Sequence, residues 1–447
     1  MRHTLLLGLI FIFCMYSCTQ DTVNLDAELD VLLDRAVGSY TPTGSSDFYI
    51  LPEAHQLQRI PQDPKNPLTP AKIELGKFLF FETGIGLEAA KDVSMGTYSC
   101  ASCHIPEAGF RPGFVQGIGD GGMGFGENGE ARIMNDDYDE TELDVQSARP
   151  LSLINVAYVK NTFWNGQFGA TGINIGTEDR WSDRHATERN HLGYQGIETQ
   201  NLEGLEVHRM VINKELMDEM GYTELFDEAF PQFKKEYRYS RFTGAMALSA
   251  YLRTITSSQA PFQKWLGGDK SAMSKEEKEG GLLFFGKAGC NRCHNDKNLG
   301  SSEFHALGVK DMDQNPLAVN KRPNDLRNLG RGGFTKNPNE MFQFKVPGIY
   351  NMSDTPFYFH GSSKESLEEV IEYKINAISE NERVSQDLIS SKLIPVDLTE
   401  TEKENLVLFL SNSLRDPSLE RYKPDFIMSG NCYPNNDHIS IDDLDCN

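Results

Sequence analysis

The chain has 447 residues, of which 39% are hydrophobic and 24% are charged, and it carries a formal net charge of −22. This composition is ordinary for a soluble globular protein, and the length predicts two or three domains. The acidic balance excludes nucleic-acid binding, which needs clustered Lys and Arg, and it is compatible either with a basic protein partner or with a merely solubilising surface.

The N-terminus has the pattern of an export signal. A basic start precedes an apolar stretch over 5–13, which is too short to span a bilayer as a stable helix. The ending MYSC resembles a bacterial lipoprotein signal, and predicts a signal peptide over 1–18 with a diacylated Cys18 as a membrane anchor. The alternative is an ordinary secretory signal cleaved nearby. Both predict an exported bacterial protein, in the periplasm or on the outer membrane, with a flexible tether over 19–45.

Helical patterns recur along the rest of the chain. They cover 73–82, segments within 215–265, 274–285, 366–377 and 399–414. Ser274 and Glu277 form a capping box at the start of the third. A Gly-rich stretch over 113–129 predicts a loop, and the acidic residues 136–144 predict a surface insertion. Because no sustained strand alternation is present, the predicted fold is mainly α-helical with long loops.

The motif Cys-x-x-Cys-His occurs twice. Its two copies are Cys100, Cys103 and His104, and Cys290, Cys293 and His294. Two thiols at this spacing can each add to one vinyl group of a porphyrin, and the adjacent His then binds the iron as the proximal ligand. A zinc site would want further paired ligands nearby, and a thiol-redox site would want a thioredoxin-like α/β pattern. Neither context is present, so the sequence predicts two covalently bound haem c groups.

Each haem motif follows a Gly-x-x-x-Phe-Phe segment, LGKFLFFE in the first case and GGLLFFGK in the second. This internal repeat predicts two related domains, each a cytochrome c-like helical module. The predicted divisions are an N-terminal haem domain over 46–265, a C-terminal haem domain over 266–425 and an acidic tail over 426–447. Cys432 and Cys446 lie close together in this tail of an exported chain, which predicts a disulfide.

Two further segments resemble signatures of the bacterial dihaem cytochrome c peroxidase and MauG family. They are ARPLSLINVAYVKNTFWNGQ over 148–167 and FKVPGIYNMSDTPFYFHGSSKESLEE over 344–369. With the haem motifs, the resemblance extends over residues 70–415. It implies that the N-terminal haem cleaves hydrogen peroxide and that the C-terminal haem supplies electrons. Trp164 matches a tryptophan that lies between the haems, which implies an electron relay, with simple core packing as the alternative.

The distal side of the first haem departs from the family pattern. The family has a Gln followed some ten residues later by a catalytic Glu and a Met. Gln200 matches the Gln, but Arg209 stands in place of the Glu, with His208 beside it. A His that moves the proton and an Arg that stabilises the departing oxygen can do this work. The alternatives are Glu203 or Glu206 as the acid–base group, and a structural role for the His–Arg pair.

The first haem is predicted to have an open sixth position. In classical family members a His beyond the first motif blocks that iron until reductive activation. No His lies between His104 and His185 in this sequence, which is a MauG-like feature. The alternative is a weak ligand other than His, such as Met123 or Met134.

The sixth ligand of the second haem is predicted to be Lys374 or Tyr373. Family members use a Met, or a Tyr in MauG, on the helix after the Tyr-Phe-His signature, and counting from His360 leads to Lys374. One helix step is a rotation of about 100°, so both side chains cannot face the iron. A Lys binds only as a neutral amine, which requires a lowered pKa. The register favours Lys374, and His360 is predicted to lie at the domain interface.

The resemblance also implies partners. The leading hypothesis is a peroxidase that takes electrons from a small donor protein, either a c-type cytochrome or a copper protein. The alternatives are a MauG-like oxidase that modifies a partner protein, and an electron-transfer cytochrome without peroxidase activity. A homodimer is a further expectation. Family members hold a calcium ion between the domains, but the Asn that helps to bind it is replaced near Ala148.

Overall fold

The structure, a computed structural model, describes residues 26–446. The predicted signal peptide, Cys18 and the first residues of the predicted tether lie outside this range. No helix within it is long and apolar enough to cross a membrane.

The described residues form a mainly α-helical fold, as predicted. The longer helices are α1 (26–39), α2 (Pro70–Phe81), α4 (Gly196–Val207), α7 (Arg241–Thr254), α9 (Lys275–Phe284), α11 (Leu367–Asn376) and α12 (Glu400–Leu408). The shorter ones are α3 (His185–Glu188), α5 (Lys214–Glu219), α6 (Thr223–Ala229), α8 (Pro261–Leu266), α10 (Gly330–Thr335) and α13 (His438–Asp443). Two antiparallel ladders pair β1 (Gly122–Met123) with β2 (Ile133–Met134), and β3 (Phe304–His305) with β4 (Phe344–Lys345).

The Gly-x-x-x-Phe-Phe repeat corresponds to one helix crossing used twice. Helix α2 crosses α7 at Gly76, where an added Cβ would lie 2.0 Å from the carbonyl oxygen of Ala247. Helix α9 crosses α12 at Gly280, where a Cβ would lie 1.9 Å from the carbonyl oxygen of Asn405. No side chain fits at these distances, so only glycine allows each pair to pack. The repeated Gly-x-x-x-Phe-Phe motif thus reflects the same close contact in both modules.

The N-terminal segment differs from the flexible tether predicted over 19–45. Within the described part, residues 26–39 form helix α1, and Leu33 and Val37 are fully buried at an i, i+4 spacing. Asp30 lies 2.8 Å from the Lys278 ammonium and accepts a hydrogen bond from the Trp265 indole. Leu33 and Val37, set among polar residues, give this segment one buried apolar face. Helix α1 therefore packs against the C-terminal module.

The C-terminal segment returns to the N-terminal module. Cys432 and Cys446 form a disulfide. Beside the first haem motif, the Ser99 hydroxyl donates to the Pro434 carbonyl at 2.9 Å, and Asp437 forms an ion pair with Arg132 at 3.3 Å. The acidic tail is thus part of the packed structure around the first haem motif.

Candidate haem sites and the segment between them

The first haem motif lines a cavity in the N-terminal module. A single turn over Cys100–Ser102, capped by the Ser99 hydroxyl, places both thiols at this cavity. Nδ1 of His104 lies 3.1 Å from the Phe110 carbonyl, which leaves Nε2 for a metal. Burial lowers the pKa of His104 to about 4, so the ring is neutral, the form that binds iron.

The second motif repeats this arrangement in the C-terminal module. The turn Cys290–Arg292 precedes His294, whose Nδ1 lies 2.8 Å from the Leu299 carbonyl. Burial again lowers the pKa of this His to about 4. Cys293 also belongs to the one group of three metal-ligating side chains found in 26–446, with Glu303 and His305. Cys293 and His305 also line the second cavity, so this group overlaps the predicted haem site.

Two buried cations show that both cavities suit an anionic group. Arg149 and Lys345 line both cavities and are 3% and 5% exposed. Neither forms an ion pair with a carboxylate of the described residues, and Nε of Arg149 has no hydrogen-bond partner there. Burial, and then the charge of Arg331, lowers the pKa of Lys345 to about 7. Unpaired buried charges are costly, and the carboxylates of haem would compensate these two.

The distal wall of the first cavity contains a His–carboxylate pair. His208 follows the last residue of helix α4, and its Nδ1 lies 2.6 Å from a carboxylate oxygen of Asp144, leaving Nε2 free. Burial would lower the pKa of His208, but the Asp144 charge and hydrogen bond outweigh it and raise that pKa. The acidic segment 136–144 was predicted to be a surface insertion, and its first acidic residues are exposed, but the side chain of Asp144 is only 8% exposed and lines the cavity. Its neighbours Tyr138 and Leu143 are 4% and 3% exposed and anchor the segment in the protein.

The other predicted distal residues separate into two groups. Gln200 and Glu203 line the cavity. The Arg209 guanidinium does not, because it forms an ion pair with Asp120 on the far side of the segment. The structure therefore places His208, but not Arg209, on the wall of the cavity. Glu206 is exposed and is paired with a surface Arg.

The predicted alternative ligands of the first haem lie elsewhere. Met123 and Met134 belong to the β1–β2 ladder, and neither lines the cavity. Neither of these two predicted alternative ligands therefore reaches the cavity from the hairpin.

Trp164 lies between the two cavities and lines both. Its indole N–H donates to the Arg149 carbonyl at 2.7 Å, and its ring centroid is 6.1 Å from that of His360. His360, 2% exposed, stacks on Phe344 with centroids 3.5 Å apart, and its Nε2 lies 2.9 Å from Asp311. An aromatic group thus separates the two cofactor cavities, with a buried His–Asp pair behind it.

Lys374 and Tyr373 face different surroundings. Lys374 lines the second cavity, and within the described range its ammonium forms no ion pair and donates no hydrogen bond. Burial lowers the pKa of Lys374 to about 8. The Tyr373 hydroxyl instead donates to the Leu307 carbonyl at 2.6 Å and does not line the cavity. Of these two side chains, only that of Lys374 lines the second cavity.

The residues at the predicted calcium position do not suit that ion. Next to Ala148, the guanidinium of Arg149 donates hydrogen bonds to the main-chain carbonyls that converge at this point, among them those of Pro112 and Val115. A cation is therefore already present. No group of carboxylates able to hold a metal is found there in residues 26–446.

The chain is similar to dihaem peroxidases over most of its length. A family model described as "Di-haem cytochrome c peroxidase" matches residues 70–271. Methylamine utilization protein MauG of Methylorubrum extorquens is 28% identical over 364 residues, covering 81% of this chain and 83% of that protein. Cytochrome-c peroxidase IdrP1 of Denitromonas iodatirespirans is 27% identical over 379 residues, covering 80% and 85%. Cytochrome c551 peroxidase of Pseudomonas aeruginosa is 29% identical over a shorter match, 44% of this chain and 51% of that one.

Solved structures share the fold. A MauG-like protein associated with microbial copper homeostasis superposes with a TM-score of 0.55 and 22% identity, over 83% of this chain and 95% of that one. The diheme peroxidase BthA of Burkholderia thailandensis gives a TM-score of 0.51 and 16% identity, over 80% and 89%. These likenesses support a fold of two cytochrome c-like modules.

Proposed function

We propose that this chain, which belongs to the dihaem cytochrome c peroxidase and MauG family, reduces hydrogen peroxide at its first haem site with electrons received through its second. It is an oxidoreductase of the peroxidase type. The observation that carries the site assignment is the His208–Asp144 pair on the wall of the cavity lined by Cys100, Cys103 and His104.

The residues of the first cavity would each have a distinct role. Haem bound here supplies the redox-active iron at which the O–O bond of peroxide accepts electrons. Nε2 of His208 takes the proton of the near oxygen and delivers it to the far oxygen, which leaves as water. Asp144 holds the ring in the orientation and tautomer that leave Nε2 free. The amide of Gln200 orients peroxide through a hydrogen bond.

The test is steady-state turnover of hydrogen peroxide by the holoenzyme that carries both haems, with a reduced small c-type cytochrome or copper protein as the electron donor. We expect turnover far above that of free haem at equal concentration. Turnover no faster than free haem would indicate an electron-transfer cytochrome instead.

A MauG-like oxidase is the second candidate. The relative from M. extorquens and the missing His after the first motif favour it. Peroxide added to the fully oxidised protein, without prior reduction, distinguishes the two. A long-lived oxidised species that decays faster with a partner protein supports the oxidase, and a species that the reduced small donor protein returns quickly to the resting state supports the peroxidase.

Lys374 is the proposed sixth ligand of the second haem, supported by its place in the cavity and by the lack of an ion-pair partner for its ammonium within residues 26–446. We expect electron paramagnetic resonance of the oxidised holoprotein to show one low-spin centre with a nitrogen ligand and one high-spin centre. Replacing Lys374 by Met should change only the low-spin signal, and the matched change Tyr373→Phe should leave both signals unchanged. Loss of the low-spin signal in the Tyr variant would assign the ligand to Tyr373.

The remaining expectations concern location and assembly. Export and a lipid anchor at Cys18 are supported by the sequence pattern, and a small redox donor by the peroxidase relatives. A homodimer stays a prediction. We do not include calcium in the proposed function, because Arg149 occupies the position where the ion was predicted.

A further inference from the structure

We infer that Arg149 is a fixed internal cation that positions the segment between the two haem cavities, in place of a bound interdomain calcium ion. The inference deepens the proposed function and rests on it only where Trp164 is treated as an electron relay.

The guanidinium of Arg149 joins segments from both halves of the chain. From the first half it donates to the carbonyls of Phe114, of Val115 at 3.2 Å and of Pro112 at 2.7 Å. From the second half it donates to the Thr355 hydroxyl and to the Pro356 carbonyl, both at 3.3 Å. Its acceptors are thus neutral oxygens, mostly main-chain carbonyls, which are also the ligands that a calcium ion takes. The Arg149 side chain therefore supplies a positive charge to these oxygens, as a bound calcium ion would.

The main chain of Arg149 holds the two aromatic groups of the bridge. Its N–H donates to the His360 carbonyl at 2.8 Å, and its own carbonyl accepts the Trp164 indole N–H at 2.7 Å. The side-chain hydrogen bonds hold Arg149 in place, and its main-chain hydrogen bonds hold Trp164 and His360. A shift of Arg149 would therefore move Trp164 relative to both cavities.

The charge of Arg149 faces the cofactors. The residue lines both cavities, and its Nε is buried with no hydrogen-bond partner within the described chain. Burial and then the nearby Arg111 lower the pKa of Arg149 to about 9, which leaves it charged at neutral pH. A buried positive charge beside two redox centres favours their reduced forms, in which the centre carries one more electron.

Calcium independence is the first test, and it uses the wild-type holoprotein. We expect the same thermal unfolding temperature in excess chelator and in millimolar calcium, and no calcium binding by isothermal titration calorimetry. A specific ion would raise the unfolding temperature as its concentration rises above its dissociation constant. Stoichiometric binding or such a rise would overturn the inference.

The second test compares Arg149→Gln, Arg149→Lys and a matched control, Arg331→Gln. Arg331 is likewise buried, 4% exposed, and donates to the Asn165, Gly166 and Ile173 carbonyls, but it lines neither cavity. We measure the reduction potentials of both haems by spectroelectrochemistry, together with the unfolding temperature.

For Arg149→Gln we expect the equilibrium constant for reduction of each haem to fall by about tenfold, from loss of a unit charge at an intermediate dielectric. Arg149→Lys should restore both potentials in large part. The Arg331 control should lower the unfolding temperature without lowering either reduction potential, because loss of its charge raises the pKa of Lys345 and keeps that cavity cation protonated. If Arg149→Gln lowers only the unfolding temperature, Arg149 is merely structural and the inference fails. If that variant does not fold, the Lys variant and the calcium measurements decide. Neither readout needs peroxide, so failure of the peroxidase assay leaves this test intact.

Discussion

Replacing His208 by Ala is expected to slow the reaction of the holoprotein with hydrogen peroxide by about 10²- to 10⁴-fold, the usual contribution of a positioned acid–base group. The reason is geometric. Nδ1 of His208 is held by Asp144 at 2.6 Å, so Nε2 is the free nitrogen at the wall of the first cavity. The measurement is a stopped-flow rate at low peroxide, monitored in the haem absorption.

Arg209→Gln is the matched control, because Arg209 adjoins His208 but pairs with Asp120 and does not line the cavity. We expect its rate to stay within a few-fold of wild type. A loss as large as that of the His208 variant would restore the His–Arg pair predicted from the sequence. An unchanged rate in His208→Ala would remove His208 from the reaction and leave Glu203 as the next candidate on that wall.

The pH dependence of this rate follows from the same pair. His208 accepts a proton only when neutral, and Asp144 raises its pKa, while Glu203 also raises it and Arg209 lowers it. The rate should therefore fall as the pH drops through this raised pKa. In Asp144→Asn burial dominates and the pKa falls, so the acidic limb of the pH–rate profile should move to lower pH. A limb that does not move would show that another group titrates.

Replacing Trp164 by Phe is expected to lower steady-state turnover with a protein donor by about tenfold or more, equivalent to 1.4 kcal/mol in the barrier. Phe keeps an apolar ring between the cavities, but it loses the oxidisable indole and the N–H bond to the Arg149 carbonyl. The rate of the first reaction with peroxide, measured in a single turnover of the prereduced protein, should change little. The variant thus separates electron delivery from the chemistry at the first haem.

Trp181→Phe is the control for this change. Trp181 is 5% exposed, and its indole donates to the Thr177 hydroxyl at 3.1 Å, away from both cavities. We expect wild-type turnover from it. Equal turnover in the Trp164 and Trp181 variants would argue for direct electron transfer between the haems and for a packing role of Trp164.

The features predicted correctly depend on residues close in sequence. The capping box of Ser274 and Glu277 forms as expected at the start of α9. Consecutive residues of a helix are rotated by about 100°, and on α11 the side chain of Lys374 accordingly lines the cavity while that of Tyr373 does not.

The features missed depend on contacts between distant residues. Asp144 meets His208 across 64 positions, and its acidic surroundings have the composition of a solvated loop. Arg149 lies inside a recognised signature, but its role appears only once carbonyls from both modules surround it. No local pattern records such contacts, because they are set by how the modules pack.

The two chain ends also constrain how this protein can mature or be divided. Helix α1 packs on the C-terminal module, through Asp30 and Lys278, while the last residues, through Pro434, hold the turn beside Cys100. Each module is therefore completed by the opposite end of the polypeptide. The surroundings of the first haem motif are therefore complete only once the segment around Pro434 has packed onto the N-terminal module. A cut at the predicted boundary near residue 265 would yield two halves that each lack a segment carried by the other.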